Sequence, residues 1–194
     1  LMDLLKKQRD AVGLTLFSEK IELHIPAKST LRHQKLLYHS LEKCLEIDSI
    51  NNVKKTNSNS SINQISEMLS RRSLVMIFTD LINDELDIDK QFESFKHLKY
   101  NKHEVILFYL SEPITEINLD FNDTAYNFID VETGENIKLN PQQYKHEYKK
   151  KSEKYLSIIK LKCLQYKIDL VEVDINKGFD QILLAFLLKR QKMF

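Results

Sequence analysis

The fold of this chain is decided by the stretch Ser73-Leu74-Val75-Met76-Ile77-Phe78-Thr79-Asp80. The run from Leu74 to Phe78 is entirely apolar, which is typical of a strand buried on both faces of a parallel sheet. The run meets a carboxylate only at its C-terminal end. Because ligands of open parallel sheets collect at the carboxyl ends of the strands, Asp80 stands where a binding site would form.

Downstream of this strand, the sequence alternates between helical and strand patterns. A helix through Phe92 and Phe95 leads to a second buried strand at residues 104–110. A small hairpin excursion at about residues 113–141 precedes a long basic helix and a last strand at residues 168–173. This alternation predicts an α/β fold with a mainly parallel sheet, covered by helices on both faces and joined by right-handed crossovers.

Upstream, two short strands are predicted at residues 11–17 and 21–25. The connection between them is too short for a crossover, so these strands should form an antiparallel hairpin, which Pro26 ends. No linker separates two folding units. Residues 1–194 are therefore predicted to form a single domain.

Composition narrows the class of protein. Of the 194 residues, 42% are hydrophobic and 29% are charged, with a formal net charge of +1. This balance is typical of a globular protein and gives no overall field for nucleic acid or an acidic membrane. Cys44 and Cys163 form neither a metal knuckle nor a disulfide framework, which favours a reducing compartment and a cytoplasmic location. The alternative of a membrane anchor upstream of the chain stays open.

Asp80 is the strongest candidate for a site, and Asp84 and Glu85 follow close behind it. Carboxylates at a strand end suit a hard divalent cation, although Asp is also favoured as a helix cap or turn residue. The sequence has no nucleophile elbow, no phosphate-binding glycine loop and no histidine pair at ligand spacing. The protein is therefore predicted not to be an enzyme.

Four blocks of sequence together carry a family resemblance. These blocks are Arg9-Asp10-Ala11-Val12-Gly13-Leu14, the stretch from Arg71 to Leu81, Val131-Glu132-Thr133-Gly134-Glu135, and the ending from Gly178 to Gln191. The set resembles the "domain of unknown function 58" family, which is itself similar to von Willebrand factor A domains. The resemblance covers essentially the whole chain. It implies a three-layer, Rossmann-like fold with a mostly parallel sheet and one antiparallel edge hairpin.

The resemblance also implies a metal-ion-dependent adhesion site, to which a partner protein supplies a carboxylate. Asp80 matches the Asp that follows the fourth strand, and Ser60 matches the family's Thr position with its hydroxyl retained. The Asp-x-Ser-x-Ser motif that ends the first strand is absent from the sequence. The site is thus expected to be incomplete, with Mg²⁺ or Mn²⁺ implied for a complete domain and no metal for this chain.

The absent motif belongs to a strand expected at the centre of the sheet, between the hairpin and the strand that ends at Asp80. The chain is therefore predicted to be truncated at its N-terminus, starting inside the first helix. A sheet that lacks a central strand has two long unpaired edges, which favours either a rearrangement of the sheet or a homodimer formed by strand exchange.

Three functions are weighed for this sequence. The preferred one is a non-enzymatic protein–protein interaction module, an adaptor or assembly factor that works with a MoxR-type AAA+ ATPase through the strand-end face around Asp80. The family resemblance implies that ATPase partner. The alternatives are a metal-dependent hydrolase at the same edge and a structural fragment without a ligand.

Overall fold

The computed structural model of this chain describes residues 2, 5, 8–18, 20–46, 58–70, 72–80, 85–129, 136–180, 183, 184 and 187. The chain divides into two compact units, Leu1–Leu69 with Val131–Thr133, and Ser70–Asp130 with Gly134–Phe194. The assignment of residues 1–194 to a single domain stays a prediction.

The first unit contains the predicted hairpin, formed by β1 (Val12–Phe17) and β2 (Ile21–Lys28). These two antiparallel strands make a sheet of their own. The expectation that Pro26 ends the second strand is wrong, because β2 continues to Lys28. Val12 lies opposite Lys28 but Leu14 lies opposite Ile25, so β2 carries one extra residue in a β-bulge. Proline, which has no N–H to donate, is tolerated where a bulge interrupts the ladder.

Two helices follow in the first unit, α1 (Leu31–Glu46) and α2 (Ser58–Met68). Thr30 caps α1, since its Oγ1 accepts a hydrogen bond from the backbone N–H of His33 at 3.3 Å. The buried His33 ring donates from Nε2 to the backbone oxygen of Val12 at 2.9 Å, which holds α1 against the hairpin. Leu37 is fully buried on the same face.

The second unit is built on a three-stranded parallel sheet of β3 (Leu74–Thr79), β4 (Glu104–Ser111) and β7 (Asp169–Asp174), in the order β3-β4-β7. The predicted mixed α/β fold with a parallel sheet and an antiparallel hairpin is therefore confirmed. The stretch ending at Asp80 was expected to form a strand buried on both faces, but β3 is only partly buried in the described structure. In the described sheet β4 is central and β3 has one partner, so Phe78 is 53% exposed although its ring stacks on that of Phe108.

Two helices, α3 (Glu85–Tyr100) and α4 (Pro141–Tyr166), connect and pack against these strands. Phe92 and Phe95 of α3 are buried, and the Phe92 ring also stacks on Tyr166 of α4. Lys162 of α4 forms an ion pair with Asp89 of α3 and lies over the Phe92 ring. The predicted helix through Phe92 and Phe95 and the predicted buried strand at residues 104–110 are both present.

Between β4 and α4 the chain forms the predicted small hairpin, with strands β5 (Tyr126–Ile129) and β6 (Asn136–Leu139). A π-helical turn, Pro113–Ile117, precedes it. Asn140 caps α4 by accepting a hydrogen bond from the Gln142 N–H at 3.1 Å. The turn between β5 and β6, which includes Glu132 and Glu135, lies outside the described residues. Within the part of the chain that the structure describes, no helix has both the length and the apolarity needed to cross a membrane.

Candidate functional site

The candidate site is the edge of the parallel sheet at which β3, β4 and β7 end. Because all three strands run in the same direction, the residues that end or follow them lie at one edge. Asp80 directly follows β3, as the sequence predicted, and its side chain is exposed. Glu112 directly follows β4, and Asp174 is the last residue of β7. We define the carboxyl edge as Asp80, Glu112, Asp174 and Glu116 of the π-helical turn.

The π-helical turn fixes two of these carboxylates. The backbone N–H of Glu112 donates to Oε2 of Glu116 at 2.8 Å. The carboxylate of Glu112 in turn accepts hydrogen bonds from the Thr115 hydroxyl and from the Asn176 amide, the latter at 3.2 Å. These two hydrogen bonds, the Thr115 bond first, lower the pKa of Glu112 below its ordinary value. Both carboxylates are thus held by neutral donors, so their negative charge is not cancelled locally.

The turn after β7 holds the third carboxylate. Asp174 Oδ1 accepts a hydrogen bond from the backbone N–H of Asn176 at 3.0 Å, which is an Asx turn. The Ile175 N–H donates to the Ser111 oxygen at 3.1 Å and ties this turn to the end of β4. Lys177 lies 3.5 Å from Asp174 and is the cation that the described structure pairs with this edge.

Tyr109 is the third-last residue of β4, and its pKa is affected by the charges of the carboxyl edge. Burial raises the pKa of its half-buried hydroxyl, and the charges of Glu116 and Asp80 raise it further, followed by weaker contributions from Tyr148 and Glu172. The carboxylates of Asp80 after β3, Glu116 in the π-helical turn and Glu172 on β7 therefore place negative charge near one phenol. An ionised phenolate is disfavoured in such surroundings, and a cation is favoured.

Across the described residues, no three His, Cys, Asp or Glu side chains are arranged to hold one metal ion together. The carboxylates are instead distributed along the ends of three strands. A distributed set of fixed negative charges is suited to a cationic surface that covers the whole edge.

The chain matches a known protein family by sequence. Residues 1–155 match a protein family described as "Protein of unknown function DUF58". The chain belongs to the DUF58 family. No curated protein matches it.

A solved structure with a similar fold is the crystal structure of conserved hypothetical protein BatB from Bacteroides thetaiotaomicron. It aligns with 99% of this DUF58 chain and 84% of its own chain, at a TM-score of 0.53 and 18% sequence identity. At this identity the likeness shows the fold alone. It supports the von Willebrand factor A-like fold expected for a DUF58 protein.

The two residues implied as metal ligands for a DUF58 protein belong to different units of the chain. Asp80 lies on the carboxyl edge of the second unit, and Ser60 is an exposed residue in the first turns of α2 in the first unit. Asp84 lies outside the described residues, and Glu85 begins α3. The described ligands do not by themselves fit a Mg²⁺ or Mn²⁺ ion, which needs several oxygen ligands. The assignment of Asp80 and Ser60 to a metal site stays a prediction.

Sequence reasoning missed three of the four residues of the carboxyl edge, Glu112, Glu116 and Asp174. It also missed the neighbouring Tyr109 and Asn176. A usable signal was present for two of them, because Glu112 and Asp174 terminate predicted strands just as Asp80 does. Applying the strand-end rule to every strand of the parallel sheet would have found both. No sequence signal indicates Asn176, which reaches Glu112 from 64 residues away.

Proposed function

We propose that this DUF58 protein is a non-enzymatic interaction module whose carboxyl edge binds a cationic surface of a protein partner. The observation that carries the proposal is the set of carboxylates at the ends of three neighbouring strands, of which Glu112 and Glu116 are held by neutral hydrogen-bond donors. For the partner we propose a MoxR-type AAA+ ATPase, in keeping with the role of adaptor or assembly factor expected of the family.

Prior ordering of the carboxylates supports this proposal. Side chains that must be immobilised on binding lose conformational entropy, at about 0.5–1.5 kcal/mol for each flexible side chain. Glu112 is already held by Thr115 and Asn176, and Glu116 by a backbone N–H. A partner's lysine or arginine therefore meets acceptors that are already positioned, which reduces the entropic cost of association.

The alternative of a metal-dependent hydrolase at this edge has less support. Such an enzyme needs converging ligands and a general base within hydrogen-bond reach of a bound water. The carboxyl edge instead spreads its acids over three strand ends, and no group of three potential ligands converges in the described residues. The hydrolase is therefore the second candidate, and it requires both metal binding at this edge and hydrolytic activity that disappears in Asp80→Ala.

We further propose that the interaction takes place in the cytoplasm. The support is the state of the two cysteines, since Cys44 is exposed, Cys163 is buried, and both are free thiols. Exposed free thiols persist in a reducing compartment.

The test is the affinity of the purified chain for a purified MoxR-type AAA+ ATPase, measured by biolayer interferometry. The double variant Asp80→Asn with Glu116→Gln removes two charges but keeps an oxygen acceptor for the Glu112 N–H. Each exposed ion pair contributes about 0.2–1 kcal/mol, so this variant should bind roughly tenfold more weakly. Glu153→Gln, an exposed change on α4, is the control and should leave the affinity unchanged.

A second probe tests binding by the carboxyl edge independently of which protein is the natural partner. An oligolysine peptide should bind the wild-type chain at low salt and lose affinity in the double variant but not in the control. Peptide binding without ATPase binding would retain the cationic specificity and reject the ATPase. An equal affinity of the double variant and the wild type for both probes would reject the carboxyl edge as the binding surface.

A further inference from the structure

The edge of the parallel sheet opposite the carboxyl edge has a repeated feature. The turns that lead into β3, β4 and β7 each place a basic residue in the left-handed conformation, with φ values of 63° at Arg72, 64° at Lys102 and 56° at Lys167. All three side chains are exposed. We define these residues as the amino edge.

The left-handed conformation does not itself favour these residue types. It costs an L-residue about 1–2 kcal/mol, and Gly or Asn is the usual choice at this position after a helix. Lys102 and Lys167 follow the ends of α3 and α4, where their N–H groups donate to the oxygens of Lys99 and Leu164. The negative end of a helix dipole stabilises a nearby cation, which gives a local reason for positive charge at two of the three positions.

The strand register places the three cations at the same edge of the sheet, with Arg72 next to Lys102 and Lys167 next to Glu104. Leu74 lies opposite Glu104, so Arg72 and Lys102, each two residues upstream, sit in adjacent turns. Asp169 lies opposite Ile106, which puts Lys167 beside the first residue of β4. Adjacent strands are about 4.8 Å apart, so the cations form a short row. Glu104 is an exposed acid within this row, and the edge keeps a net positive charge.

The parallel sheet of the second unit thus has charges of opposite sign at its two ends. The acids lie at the carboxyl edge and the cations at the amino edge, separated by the length of the strands. We propose that the carboxyl edge of one copy docks against the amino edge of a second copy, in a head-to-tail contact. This inference rests on the proposed function, because it uses the same carboxyl edge.

The geometry of this contact has two consequences. A contact between different surfaces is heterologous, so it extends into open chains or closes into a ring instead of stopping at a two-fold dimer. It also covers the surface proposed to bind the partner. Self-association therefore competes with partner binding and regulates it through the concentration of the chain.

The test is analytical ultracentrifugation of the purified chain at two salt concentrations. The wild type should increase in mean mass with concentration at about 0.01 M salt, where the Debye length is about 30 Å, and return to the 23.0 kDa monomer at about 1 M salt. A species that forms equally well in both salts would point to strand exchange and overturn the charge-based contact. A monomer at every concentration in low salt would overturn it as well.

Two edge variants make the test specific. The triple variant Arg72→Asn, Lys102→Asn and Lys167→Asn removes the cations, and since Asn tolerates the left-handed conformation the variant should fold at least as stably as the wild type. The variant Glu116→Gln with Asp174→Asn removes two acids and keeps their hydrogen-bond acceptors.

Each variant alone should remain monomeric at low salt, because one of its two edges has lost the charges proposed to form the contact, either two of the four acids or all three cations. An equimolar mixture should form a 1:1 dimer of twice 23.0 kDa and grow no further, since each variant supplies one intact edge. The control Lys96→Gln, Lys149→Gln and Lys150→Gln removes three exposed lysines from α3 and α4 and should associate like the wild type. A mixture that stays monomeric would overturn the proposal. Normal self-association of the triple variant of the amino edge would overturn it as well.

The triple variant of the amino edge also tests this inference independently of the proposed function. Its carboxyl edge is unchanged, so it should bind the ATPase and the oligolysine peptide at least as tightly as the wild type. Normal partner binding by a wild type that never self-associates would reject the head-to-tail contact and leave the proposed function standing.

Discussion

We predict that His103 makes the stability of the second unit depend on pH. The side chain is 2% exposed and precedes β4. Its Nδ1 accepts a hydrogen bond from the Ser73 N–H at 3.2 Å, and its buried Nε2 has no hydrogen-bond partner among the described residues. Burial lowers the pKa of His103 below 6.5. The Ser73 backbone would raise this pKa only if the ring donated to it, and the observed hydrogen bond has the opposite polarity.

The sign and size of the effect follow from this pKa shift. In the unfolded chain His103 binds a proton as the pH falls through about 6.5, while in the folded chain it stays neutral to a lower pH. The folded state is therefore most stable above pH 6.5 and loses stability as the pH falls towards the folded pKa. One proton taken up by the unfolded state alone gives a slope of at most about 1.4 kcal/mol per pH unit.

The assay is urea unfolding followed by circular dichroism between pH 7.5 and pH 5. His103→Asn keeps an acceptor for the Ser73 N–H but does not titrate, so its free energy of unfolding should lose the slope attributed to one proton. His146→Asn, an exposed change on α4, should keep the wild-type slope. Identical pH profiles for the wild type and His103→Asn would refute the reasoning.

Three further predictions concern the hairpin, the carboxyl edge and the metal. A Cβ added at Gly13 would lie 2.8 Å from a backbone oxygen of β2, so Gly13→Ala should destabilise the chain by about 1–3 kcal/mol in urea unfolding, whereas Gly178→Ala, with open space around it, should have little effect. Glu116→Gln should lower the pKa of Tyr109 towards 10.0 in an ultraviolet titration, because it removes a charge that raises it; an unchanged value would place Glu116 outside the edge. Calorimetric titration with Mg²⁺ or Mn²⁺ should give no binding heat, and heat that disappears in Asp80→Ala would instead establish the metal site.

The parallel sheet was predictable because its strands are continuous apolar runs separated by helical patterns. The placement of Asp80 followed from the same reasoning. The relative burial of the strands was not predictable, because it depends on the number of neighbours that pairing gives each strand. Phe78 belongs to the most apolar run of the chain and is still half exposed on β3, whereas Phe108 on the central β4 is fully buried.

The rest of the candidate site depends on tertiary geometry. Asn176 reaches Glu112 only because the ends of β4 and β7 are adjacent. The register between these strands cannot be predicted from the sequence of either strand alone. The left-handed positions themselves are occupied by Arg72, Lys102 and Lys167 and not by Gly or Asn, so the residue type at these positions gave no signal for this conformation. The course of β2 beyond Pro26 likewise depends on a bulge that local propensity does not indicate.

The most direct test of the central claim is a map of backbone amide chemical-shift changes when the chain binds the AAA+ ATPase or the oligolysine peptide. The proposal predicts the largest changes at Asp80, Glu112, Glu116 and Asp174, with little change along the exposed face of α4. Changes concentrated on the hairpin of β1 and β2, with the carboxyl edge undisturbed, would contradict it.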